Sequence, residues 1–472
     1  MMKRIVFVLF ATLLLCLAAA PLTAQDEEPL QLTYLHWADP TADQVFQELI
    51  DQFNEANPDV FITLEGVPSA GYVDYLLTSI AGGTPPDIAL VADGDFAVFA
   101  PRGALVSIEE FVNASEVIDL DAVWPSGPDR YRFDAETGAF MTGPIYELPR
   151  DVGPTALYIN VDLFNELGVP LPDPNVPMTW DQLVETGIAL TTDVNGLHPN
   201  EEGFDADNVE TFGLGTLTVP GWGLGPIFGN GGHYVSEDGR TWIAHEDQNT
   251  IDAIQFLSDL NHVHRITPPP GVLEGINVWD LFNTGRVGMN WNGRWATTGF
   301  RETLDFEWDV RPFPVGNSGE IRAFAEGCSV SGWSGSVGLA IIAGSTGAEN
   351  PEKAYRFIEF IYGPDGQLAQ AALGYNIPAQ MELANTDAFL QPGQMPANSR
   401  IFLETTRCQL PGPWSFVPHW FVWQPEPWGR MWQAVVVENS AFAEDALLDV
   451  AGDLQAGLDD AWATIDEQRM GG

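Results

Sequence analysis

The chain has 472 residues, 45% of them hydrophobic and 11% aromatic, so it can bury large cores in two or three domains. Lys plus Arg number 19 against 66 Asp plus Glu, a formal net charge of −47, and such a surface repels nucleic-acid phosphates and anionic lipid headgroups. The only lysines are Lys3 and Lys353, and no GxxxxGK(S/T) run occurs, which excludes a P-loop nucleotide site.

The amino end reads as an export signal. Lys3 and Arg4 precede an apolar run from Ile5 to Leu17, and small residues follow from Ala18 to Ala24. The run is shorter than the roughly 20 residues that a membrane span needs, and the order is that of a secretory leader cut after Ala24. The mature chain is then expected outside the cytoplasm: periplasmic, extracellular or held at the cell surface. It keeps two cysteines, Cys328 and Cys408, which in an exported protein fit one disulfide.

Gln31 to Trp37 alternates as a strand. From Thr41, Val45, Leu49 and Phe53 recur at helical spacing until Asn57-Pro58 stops the pattern. Val60, Ile62 and Leu64 predict a second strand, Tyr72 to Ile80 a second helix ended by Gly82-Gly83, and Ile88 to Val91 a strand buried on both faces. Strand, helix, strand, helix, strand is the pattern of a parallel α/β sheet. After Pro149, a strand is expected at Leu157–Asn160, a short helix at Val161–Leu167, and a helix capped by Thr179 from Trp180. Residues 193–210 read as an acidic loop and 213–232 as a glycine-rich stretch around Trp222. Helix follows at Ile251–Val263, strand at Val287–Trp291 and Gly338–Ala343, and helix at Pro351–Ile361 and Ala441–Ile465.

Several segments match a known pattern. Phe46–Val60 reads FQELIDQFNEANPDV, Ser79–Ile88 SIAGGTPPDI, Leu157–Gly168 LYINVDLFNELG, Met178–Leu183 MTWDQL and Phe282–Trp295 FNTGRVGMNWNGRW. In this order the chain resembles the extracellular solute-binding proteins of sugar-type ABC importers, the group that includes maltose-binding protein. The resemblance implies a two-lobed α/β fold of the type II periplasmic-binding-protein kind. Residues 28–148 plus 311–370 would form one lobe and 149–310 plus 371–465 the other, with hinge crossovers and a ligand cleft between them. It also implies a non-catalytic monomer that captures a carbohydrate and delivers it to permease subunits.

The residues point the same way. Ligands in open parallel sheets sit beyond the carboxyl ends of strands. There the chain offers Trp37 and Asp39 after the first strand, Asp93 and Asp95 after the third, and Trp295 after Val287–Trp291. Sugar rings stack their C–H faces on flat aromatics, and their hydroxyls bond to polar groups. Sixteen tryptophans supply platforms. Trp295, Trp222, Trp428, Trp37, Trp333 and Trp423 are candidates for ligand contact, whereas Trp180, Trp308 and Trp462 are read as core. Asp95 serves equally as the N-cap of a helix over Phe96–Phe99, and Arg150 equally as hinge structure. Glu326 opens a loop after the second crossover, where Cys328 departs from the family's glycine- and serine-rich run.

Other readings remain open from the sequence. The acids suit a cationic ligand such as a polyamine, and carboxylate pairs would suit a secreted carbohydrate-active enzyme. Ser334 in GWSGS falls short of a nucleophile elbow, and His262 with His264 lacks a third ligand at metal spacing. No metal or cofactor is expected, although Asp193, Asn195, Glu201, Glu202, Asp205 and Asp207 offer oxygen donors that a calcium ion or plain solvent would suit.

Overall fold

The computed structural model describes residues 28–38, 40–124, 127–215, 223–269, 282–320, 327, 329–374 and 377–471. The leader, Asp39, Trp222, Glu326 and Cys328 lie outside the described residues. The strands are β1 (Leu30–Trp37), β2 (Val60–Val67), β3 (Ile88–Ala92), β4 (Arg132–Asp134), β5 (Ala139–Ile145), β6 (Glu147–Asn160), β7 (Thr192–Asp193), β8 (Val209–Leu214), β9 (Val287–Gly293), β10 (Trp308–Arg311), β11 (Trp333–Ile341), β12 (Ile377–Pro378) and β13 (Leu410–Pro411).

The apolar periodicities place the first strands and helix as expected. β1 pairs in parallel with β2 and β3. The helix Pro40–Ala56 lays Phe46, Leu49, Ile50 and Phe53 on the sheet, all at most 2% exposed. β3 is apolar throughout and nearly all buried, as a strand covered on both faces must be. β11 closes this part of the sheet, antiparallel to β3.

β6 is longer than the sequence pattern predicts. Its 14 residues pair first with β11, from Glu147 to Pro154, and then with β9, from Thr155 to Ile159. One strand thus runs from one lobe's sheet into the other's, and the sheet order is β2-β1-β3-β11-β6-β9-β8-β7. Pro149 and Pro154 disguise it, because proline cannot donate to a ladder. Pro149 sits where the pairing with β11 shifts register, a position that tolerates a missing donor.

The other lobe packs helices on β8 and β9. Thr179 and Gln182 form a reciprocal capping box at the start of Trp180–Leu190. Trp180 stacks on Phe256 with ring centres 4.0 Å apart and planes within 4°. Trp308 and Trp462 are buried, as the core reading has it. The helix Ala443–Gly471 closes the fold.

Candidate ligand cleft

A cavity of about 500 Å³ opens where these segments meet. β3 ends at Ala92 and the helix Asp93–Phe99 begins at its mouth. β6 passes beneath with Arg150–Gly153, β9 delivers Trp295, β11 starts at Trp333, and the stretch after β13 adds Trp414 and Phe421. The lining therefore lies beyond the carboxyl ends of β3 and β9, where open α/β sheets bind ligands.

Four aromatic rings form a chain along the cavity. Trp295 and Trp333 lie 5.9 Å apart at 37°, Trp333 and Trp414 5.2 Å apart nearly perpendicular, and Trp414 and Phe421 5.6 Å apart at 30°. Trp37 also lines the cavity, edge-on to Tyr72. Missing side chains hold the rings in place. A Cβ on Gly293 would lie 2.1 Å from the Trp295 ring and one on Gly153 would lie 3.1 Å from it. A Cβ on Gly94 would meet Phe421 at 2.6 Å. The indole of Trp295 thus lies against the backbone of Gly153 and Gly293 while the residue lines the cavity.

The charges are arranged unequally. Asp93 is buried and filled: Arg130 donates to it at 2.7 Å, Trp414 Nε1 at 3.1 Å and Ser415 Oγ at 3.0 Å. Burial pushes its pKa up, and the Arg130 charge and these hydrogen bonds oppose that push. Arg130 also donates to the Ser334 carbonyl and hydroxyl, so Ser334 is a structural acceptor at the start of β11. Arg150 is tied to Asp151 at 3.0 Å and sits 5.6 Å from the Phe46 ring centre. Arg294 lines the cavity, but its guanidinium is buried against Phe389 and Phe402. Asp95 lines the cavity partly exposed. Burial, and then the neighbouring Asp93 charge, push its pKa up to about 7. Beneath them Glu147 is fully buried with neither carboxyl oxygen hydrogen-bonded; burial, then Asp95 and Asp93, push its pKa well up.

The structure brings Trp37, Asp93, Asp95, Arg150, Trp295 and Trp333 to one cavity. Two predicted residues are corrected. Trp428 is 0% exposed and packs against Tyr234 and Trp242. Trp423 packs on Trp242 and Trp420 and donates to the Pro418 carbonyl, and neither residue lines the cavity. They belong to the helical turns Trp420–Trp423 and Pro425–Trp432, which bury Trp420, Trp428 and Trp432 while Phe421 reaches the cavity. Asp95 is not an N-cap: it lies inside the first turn of Asp93–Phe99, after Ala92. Asp39, Trp222 and Glu326 lie outside the described residues. Sequence reasoning missed Arg130, Trp414 and Phe421; Gly412 before Trp414 was the available signal, since a Cβ there would lie 2.4 Å from that indole.

The remaining motifs have structural partners. The Asp193 carboxylate accepts from the backbone of Asn195, Leu197 and Asp205, which folds the acidic loop onto itself. Among the described residues no group of three His, Cys, Asp or Glu side chains gathers to hold a metal. His262 Nε2 lies 3.1 Å from the Val436 carbonyl. Cys408 is disulfide-bonded.

A cleft between two α/β lobes, crossed by a shared strand and lined by aromatic rings, defines a two-lobed binding protein. Residues 37–368 match the family described as bacterial extracellular solute-binding protein, and the chain belongs to that family. It is 23% identical over 356 residues to a maltotriose-binding protein of Pyrococcus abyssi, covering 74% of this chain and 66% of that protein. It is 24% identical over 297 residues to an arabinooligosaccharide-binding protein of Halalkalibacterium halodurans, 60% of this chain and 59% of that one. Its fold resembles the ABC substrate-binding protein Lmo0181 from Listeria monocytogenes, solved in complex with cycloalternan, with a TM-score of 0.75, 19% identity, and 91% and 99% of the two chains covered. It also resembles the GacH receptor of Streptomyces glaucescens, solved unliganded and with acarbose, with a TM-score of 0.71, 19% identity, and 92% and 100% covered.

Proposed function

We propose that this protein captures an oligosaccharide outside the membrane and delivers it to the permease subunits of an ABC importer, without chemical turnover. The observation that carries the reading is the indole of Trp295, set against Gly153 and Gly293 in the lining of a cavity that four other aromatic rings also line. A flat apolar face beside carboxylates suits a sugar ring, which pairs a C–H face with a rim of hydroxyls. The relatives and solved structures named for maltotriose, arabinooligosaccharide, cycloalternan and acarbose support it.

In this reading the leader is residues 1–24, the mature protein is a monomer, and residues 28–148 plus 311–370 close on 149–310 plus 371–465. Closure would be a population shift that a permease detects. Cys328 is the proposed partner of Cys408. The test is a thermal-shift screen of mono- and oligosaccharides, followed by calorimetry. A melting rise with a saccharide that is recovered unchanged supports capture; no rise with any saccharide overturns it, and release of cleaved product establishes an enzyme instead.

A further inference from the structure

The described charges that line the cleft are not all paired. Asp93 is saturated by Arg130, Trp414 and Ser415. Arg150 and Asp151 neutralise each other at 3.0 Å. The Arg294 guanidinium is turned onto Phe389 and Phe402, with all three of its nitrogens sealed from solvent. Asp95 is left: it lines the cavity, partly exposed, and its carboxyl has no ion pair with a cationic side chain among the described residues.

The rest of the lining favours the same sign. Trp37, Trp295, Trp333, Trp414 and Phe421 present π-systems to the cavity, and the negative faces of such rings attract ammonium groups. A net charge of −47 raises the local concentration of cations around the whole molecule. A neutral sugar would use the aromatic faces and leave Asp95 without a cationic partner. A sugar carrying a protonated amine would use both, because a charge-assisted hydrogen bond to a carboxylate is roughly twice as strong as a neutral one.

Resting on the saccharide reading above, we infer that the cleft selects an aminated saccharide, with the ring stacked on the aromatic chain and an ammonium group directed to Asp95. The selection comes from Asp95 being the described lining carboxylate without an internal counter-ion, while Arg294, which also has none, is sealed against Phe389 and Phe402.

The experiment is calorimetric titration of the mature protein, at near-physiological ionic strength, with short gluco-oligosaccharides. Each is offered in α- and β-linked form as matched all-hydroxyl, aminated and N-acetylated compounds, with putrescine as a ring-free amine. The aminated member should bind at least about tenfold tighter than its all-hydroxyl and N-acetylated counterparts and than putrescine. Asp95→Asn, with its melting curve checked, should shrink that preference at least about tenfold. If Asn is not tolerated, Asp95→Ser serves in its place, read by the same ratio. An all-hydroxyl member that binds as tightly as the aminated one, or a preference that survives at Asp95, overturns the inference and leaves saccharide capture standing. Equal binding of putrescine removes the sugar from it. Failure of every saccharide to bind overturns both readings together.

Discussion

The indole Nε1 of Trp414 donates to the Asp93 carboxylate across 3.1 Å, tying together residues 321 positions apart. The same carboxylate neutralises Arg130, which is itself fully buried. The segment after β13 is thereby fastened to the helix at the cleft mouth, and Trp414 is held edge-on to Trp333.

Asp93→Ala should therefore be a stability variant before it is a binding variant. Removing one member of a buried ion pair strands the other charge, at a cost of roughly 3–5 kcal/mol. Urea denaturation measures it; a loss under about 1 kcal/mol would mean that solvent reaches Arg130.

The Trp295 platform can be disturbed from below. Gly293→Ala places a methyl where the ring now lies, 2.1 Å away, so the indole must tilt. Saccharide affinity should fall at least about tenfold, and Trp295→Ala should do the same by removing the platform. Both effects are read by calorimetry on folded protein. Unchanged affinity in Trp295→Ala would remove this ring from the site.

Two carboxyls should shape the pH dependence of stability. Asp95 titrates near 7 when folded against 3.8 ordinarily, and Glu147 is held well above its usual range. The folded state thus keeps protons that the unfolded state has released. The contribution of Asp95 is fully present below about pH 4 and is lost as pH rises through about 7. Asp93 acts on both carboxyls, Asp95 acts on Glu147, and Arg130 acts on Asp93. Asp95→Asn should raise the melting temperature relative to wild type more at about pH 8 than at about pH 4. Glu147→Gln should steepen this contrast; a difference that does not change with pH would contradict the burial of both groups.

The disulfide at Cys408 invites a separate check. Paired with Cys328 it would close a loop of about 80 residues, worth up to ~4 kcal/mol through the unfolded chain's entropy. Cys328→Ser, Cys408→Ser and the double variant should then destabilise equally, and intact mass should report one disulfide in the wild type. Additive losses would refute that pairing.

The sequence by itself determined the local elements and the family. Phe46, Leu49 and Phe53 bury the face that their spacing assigns, Thr179 caps where its motif requires, and Ile88–Val91 is the doubly covered strand that its composition demands. These features depend on neighbours a few residues apart, so periodicity and capping chemistry expose them. Only the tertiary structure decided which tryptophans face the cleft. Trp428 and Trp414 stand in the same aromatic, proline-rich stretch, yet one is sealed behind Tyr234 and the other is hydrogen-bonded to Asp93 at the cavity. The direction of an indole is set by what packs against it from distant parts of the chain, a glycine at 153 or a carboxylate at 93, and such partners leave no periodic trace. The pairing of charges was hidden for the same reason: among 66 acids, only three-dimensional contact shows that Asp93 is neutralised by Arg130 while Asp95, in the cavity lining, has no such partner among the described residues.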